Sequence, residues 1–169
     1  MPETTEPRWD LLTSEMRVPA RETGVWAQLE QATLYLTDQK WCPPIRERFV
    51  GYAIPGVLGL YLFAFEEPVN GTEAHLWAVV GDLPSAYFVL DDVPTPVEAL
   101  DTYCTLMEDW VEAVRSGGDL SEVFPVDAAP TPDNAESLLR RMDFIREEIM
   151  PEAPGAPGFD APFDFSRAK

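Results

Sequence analysis

Asp91 and Asp92 are adjacent carboxylates closing a strand-like run, where divalent-metal ligands and acid–base residues often sit. Neighbouring residues on a strand point to opposite faces, so the two cannot easily share one ion. Asp92 is better placed to serve the following turn and the positive end of a helix opening at Pro96. His75 is the single histidine, so Ser-His-Asp or Cys-His catalysis would have to pass through it. It stands beside Leu76-Trp77 at a strand start and reads as a structural residue. Cys42 and Cys104 lie 62 residues apart with no CxxC, unlike the four closely supplied ligands of zinc sites. Cys104 falls on the apolar stripe of a helix and reads as a small buried hydrophobe. GxSxG, P-loop, GxGxxG and HExxH strings are absent from the sequence. We therefore expect no catalytic residue, no metal and no cofactor, and a chain leaning away from enzymatic activity.

Binding is the other chemistry the residues offer. Gly81-Asp82-Leu83-Pro84-Ser85-Ala86-Tyr87 reads as a tight link between strands: glycine for a positive backbone angle, aspartate to cap the turn, proline to fix the next dihedral. The same string could present Asp82, Ser85 and Tyr87 on a rigid rim. Around it the charge is one-sided. Residues 49–114 hold no lysine or arginine but eleven carboxylates, and the whole chain carries a net charge of −18. Such a surface repels nucleic-acid phosphate and anionic membrane and favours a basic protein partner, or serves simple solubility as a solvated acidic surface. The expected partner-binding residues are Asp82, Tyr87, Asp91, Asp92 and Glu98.

The elements that must position these residues follow from periodicity. Val25, Trp26, Leu29, Thr33 and Leu36 recur at helical spacing over 24–38, although 32–37 is locally strand-like. Pro43-Pro44 ends that element. Runs 48–54, 57–66, 74–80 and 85–90 are rich in aromatic and branched residues and are joined by turn-length links. They predict an antiparallel meander, with the second run apolar on both faces and an Asn70-Gly71 hairpin signal after it. Thr95-Pro96-Val97-Glu98 predicts a capped helix start. Leu100, Tyr103, Cys104, Met107, Val111 and Val114 then form one stripe until Gly117-Gly118. Thr131-Pro132 opens a last helix over 132–149, which Pro151 closes. The expected fold is α+β: a sheet of about four strands within 47–91, with three helices packed mainly on one face. Residues 1–151 form the domain; 152–169 form a Pro/Gly-rich, weakly ordered tail that Phe159, Phe163 and Phe165 could pin.

The string Trp77-x-Val79-x-Gly81-Asp82-Leu83-Pro84-x-Ala86-Tyr87 resembles the signature of a group of uncharacterised bacterial proteins. Ala99-Leu100, Tyr103, Trp110-Val111, Thr131-Pro132, Leu138 and 141–146 extend the resemblance over about 74–151. It implies a bacterial origin and a small standalone domain, with no activity to carry over. At 169 residues and 46% apolar composition the chain can bury a core. The opening residues lack the basic and apolar regions of a signal peptide, and glycines and prolines break the most apolar run, 50–65. A cytoplasmic protein is expected. The leading functional expectation is an immunity or antitoxin-type inhibitor of a basic bacterial protein. The alternatives are a small-molecule binder or enzyme, with a pocket between sheet and helices lined by Trp77, Tyr87 and nearby carboxylates, and a mimic of nucleic-acid charge.

Overall fold

A computed structural model describes residues 6–69, 73–90 and 93–167. The expected meander is present: β2 (Ile45–Ile54), β3 (Leu58–Val69), β4 (Glu73–Gly81) and β5 (Ala86–Val89) pair in sequence order, all antiparallel. A fifth strand precedes them. The two residues of β1 (Thr13–Ser14) pair with Val50 and Phe49 at the β2 edge. So short a run has no periodicity to read. The three helices are α1 (Thr23–Thr37), α2 (Pro96–Ser116) and α3 (Pro132–Phe144), and the fold is α+β. Among the described residues no helix is long and apolar enough to cross a membrane.

Both faces of β3 are covered, as its uninterrupted apolar run requires. Every residue from Leu58 to Phe65 is buried. On one face the Tyr61 hydroxyl lies 3.3 Å from both the Val25 carbonyl oxygen and Gln28 Oε1, which fixes α1 there. On the other face Trp77 is fully buried and its indole N–H donates to the Val93 carbonyl at 2.9 Å. Side chains of this size contribute on the order of 2 kcal/mol each by leaving water. The strand-like segment 32–37 belongs to α1 because Ala32 and Leu36 are buried on its stripe. Thr33 and Thr37 satisfy their hydroxyls within the helix, donating to the Leu29 and Thr33 carbonyls at 2.8 and 2.9 Å. The Asn70-Gly71 signal lies outside the described residues.

α2 and α3 pack along a seam. Cys104, Met107, Leu138 and Met142 are buried, with Cys104 Sγ 4.0 Å from the Met142 carbonyl oxygen. The expected last helix is interrupted rather than uniform. After Phe144 it widens into a π-helical stretch, Ile145–Ile149, that keeps Ile145 and Ile149 on the buried side. Arg146 leaves this stretch to meet Asp101 and Glu108 of α2, the latter at 2.7 Å. Part of the acid-only segment is thus neutralised by bases placed later in the chain.

Candidate functional site

Of the five expected partner-binding residues, Asp91 and Asp92 lie outside the described residues. The structure places the other three in three different settings. Asp82 is exposed in the link between β4 and β5. Gly81 has φ +140°, and a Cβ there would collide with the Val57 carbonyl oxygen. The Asp82 N–H extends the β3–β4 pairing by one bond, donating to the Val57 carbonyl at 3.0 Å. The Asp82 carbonyl accepts from the Arg141 guanidinium, and its carboxylate lies 4.0 Å from the same group. The Tyr103 hydroxyl donates to the Pro84 carbonyl at 2.6 Å and the Tyr35 hydroxyl to Ser85 at 3.4 Å, so two tyrosines hold the link rigid.

Tyr87 is half-buried among rings, with centroids 4.9 Å from Trp41, 5.8 Å from Phe124 and 6.0 Å from Tyr35. Burial pushes the Tyr35 hydroxyl up to about 12, helped by Tyr87. Glu98 is exposed, but its carboxylate accepts the Thr95 hydroxyl at 2.9 Å, while its own N–H donates to the Thr95 oxygen at 3.2 Å. The capping pair is real, with the hydroxyl rather than the cap N–H as the carboxylate's partner.

The candidate catalytic atoms sit in separate surroundings. His75 packs edge-on against Trp9 at 5.5 Å, and burial holds its pKa below the usual histidine value. Burial raises the Cys104 thiol to about 12, which suits a packed side chain and not a nucleophile. Cys42, at the turn after α1, donates to the Pro43 carbonyl at 3.4 Å. Among the described residues no three His, Cys, Asp or Glu side chains gather as metal ligands do.

A sizeable concavity lies where sequence reading placed only a tail. Pro151 was expected to close the last helix, but it lies inside a 3-10 turn, Met150–Glu152, that carries the helix on to Glu152; Gly155, at φ +94°, then turns the chain so that its N–H donates to Phe159 at 3.0 Å. The Pro154 carbonyl accepts the Val97 N–H at 3.1 Å. The tail therefore satisfies the second amide of α2, while Thr95 satisfies the third and Pro96 has none to satisfy. Phe163 is buried edge-on against Tyr52 at 5.3 Å, and Phe165 meets it edge-on in turn at 5.0 Å.

Between this tail and the end of β2 opens a groove of about 790 Å³, walled by Tyr52, Ile54, Phe159 and Phe163 and bordered by Glu152, Asp160 and Asp164. Asp160 meets Arg8 at 3.2 Å. Asp164 accepts the Ser166 N–H at 2.9 Å, and the Ser166 hydroxyl first, with this N–H second, holds its pKa below the usual carboxylate range. Arg167 turns back over the groove: Nη2 is 3.2 Å from Glu152 Oε1, and the guanidinium carbon is 5.9 Å from the Phe159 ring centroid. A second cavity of about 400 Å³ lies between the β2–β3 turn and α3, with Val57, Asp82, Leu83, Arg140, Arg141 and Phe144 on its walls. Trp77 and Tyr87 line neither of these two cavities.

The one signal for the groove in the sequence was the trio of phenylalanines in a proline-rich tail. A stripe missed in the sequence is Glu98, Asp101, Glu108 and Glu112 on α2, whose spacings of three, seven and four residues made it findable. No protein-family model, curated protein or solved structure matches this chain.

Proposed function

We propose that this chain is an acidic, non-enzymatic interaction protein that binds a basic protein partner, in the manner of an immunity or antitoxin-type inhibitor. One observation carries the reading: residues 49–114 hold no lysine or arginine, and Glu66, Glu67, Glu98, Asp109 and Glu112 from this segment are exposed. Exposed charge of one sign raises the encounter rate with a cationic surface and disfavours anionic ligands. The rigid link at 81–85 supports the reading further, because a binding rim that does not move loses little entropy on docking.

The test uses the partner recovered by pull-down from the native cell. Asp82, Asp91 and Asp92 are changed together to asparagine; Glu98 is left alone because it belongs to the α2 cap. Stopped-flow association at low salt should slow severalfold, and the difference should shrink near 0.15 M, where screening acts over about 8 Å. Dissociation should change less, since rim charges act mainly on encounter. Unchanged low-salt association would remove the support for steering by these carboxylates. Recovery of a DNA-binding protein whose DNA is competitively displaced would favour charge mimicry instead.

A further inference from the structure

The groove between β2 and the C-terminal segment already holds a guanidinium, and it belongs to the chain itself. We propose that this groove is the subsite for an arginine side chain of the partner, and that Arg167 is its internal competitor. The proposal rests on the reading of the protein as a binder of a basic partner and names the group recognised.

Three features favour a guanidinium. The walls are aromatic, with Tyr52, Phe159 and Phe163 presenting rings to a volume of about 790 Å³, far more than one side chain fills. Carboxylates border those rings, so the site combines π-faces with negative charge. A planar, weakly hydrated guanidinium can use both together, whereas a compact, strongly hydrated ammonium stacks poorly. Arg167 illustrates the fit. Its guanidinium carbon lies within the roughly 6 Å reach of a cation–π contact to Phe159 while one nitrogen pairs with Glu152.

Other features make Arg167 displaceable. Its side chain is 53% exposed and that of Glu152 47%, so the ion pair is of the weak, solvent-screened kind. It sits on a single short turn, Phe165–Arg167, closed by a backbone bond from the Arg167 N–H to Asp164 at 3.1 Å. Asp160 and Asp164 already have partners in Arg8 and Ser166, so Glu152 is the carboxylate that displacement would release. An incoming arginine must compete with Arg167, and removing that competitor raises apparent affinity by the reciprocal of the fraction of time the site stands open.

The test titrates N-acetyl-arginine amide, and its neutral citrulline counterpart, into the wild-type protein, R167A and R167A/E152Q. NMR follows the rings of Phe159 and Tyr52. R167A should bind the arginine probe about twofold more tightly than wild type, with shifts at both rings. The citrulline probe should show no such gain, and adding E152Q should return binding to the wild-type level or below. Equal affinity in wild type and R167A, equal binding of the two probes, or no binding to R167A would each overturn the assignment. Unchanged melting curves for these surface variants establish that the fold is intact. A groove that binds arginine while the asparagine variants associate normally would sink steering but keep the subsite. The opposite pair of results would sink the subsite but keep steering.

Discussion

Arg146 and Arg167 both reach carboxylates distant in sequence, yet they do so under different physical conditions. Arg146 leaves a π-helical stretch at the α2–α3 seam, meets Asp101 and Glu108 together, and has a side chain 32% exposed. Paired nitrogens address Glu108, at 2.7 and 3.1 Å, in the bidentate geometry that makes arginine pairs strong. Glu108 and Asp101 hold its guanidinium even more firmly protonated than usual. Arg167 meets one carboxylate, Glu152, through one nitrogen and the face of Phe159, on a short turn beside an open groove. One interaction joins two helices; the other leaves a site that another cation can take. The difference comes from what lies beneath each arginine: a packed seam in one case, unfilled volume in the other.

Experiments at the seam should give the largest effects. Met142→Ala removes a fully buried side chain between α2 and α3 and should cost about 2–5 kcal/mol in urea melts. A loss under about 1 kcal/mol would mean that the seam is not closely packed. Arg146→Ala should cost about 1–2 kcal/mol: charged hydrogen bonds are worth roughly 1.5–3 kcal/mol when buried, and partial exposure reduces that. The loss should shrink in Asp101→Asn/Glu108→Gln, where the partners are already neutral. An unchanged loss there would assign the effect to the arginine's packing alone.

Thr95→Ala should cost about 1 kcal/mol, since it unmakes the hydrogen bond to the Glu98 N–H. Thr102→Ala, in the interior of the same helix, should be neutral or slightly stabilising because alanine is the better helix former. Equal losses at both sites would show that the cap contributes nothing particular to the helix start. At the groove, Arg167→Ala should change stability by no more than about 0.5 kcal/mol. A loss comparable to that of Arg146→Ala would make Arg167 a structural tie and erase the contrast.

The comparison of buried with open sites extends to protons. Burial lowers the His75 pKa, so between that value and the ordinary one of about 6.5 the unfolded chain binds more protons than the native one. The stability this group contributes is full above about pH 6.5 and is lost as pH falls through the lowered native pKa. In pH-dependent melts His75→Phe should flatten that part of the profile. An unaltered slope would place the native pKa at its ordinary value.

Much of the fold was legible because local periodicity and turn chemistry agree with it. Thr95-Pro96 and Thr131-Pro132 mark helix starts that the structure reproduces, each with its threonine oxygen accepting the N–H three residues on. β3 was recognisable from apolar residues at every position. Strand β1 was not, since two residues carry no pattern and its pairing is decided at the β2 edge. Segment 32–37 had two locally valid readings, and the burial of Ala32 and Leu36 decided between them. Trp77 and Tyr87 were expected to line a pocket; the first is fully buried under Val93 and the second is packed among rings.

The sequence by itself determined the acid-only character of residues 49–114, the helix boundaries set by capping residues and prolines, and the α+β class. These depend on composition and on contacts within a few residues. The tertiary structure decided which carboxylates are neutralised and where a cavity opens. Asp101 and Glu108 wait for Arg146 from 38 or more residues away, and Glu152 meets Arg167 only because Gly155 and Phe163 fold the tail back against Tyr52. A charge pair or a groove needs elements brought together by packing, and no local spacing encodes that distance.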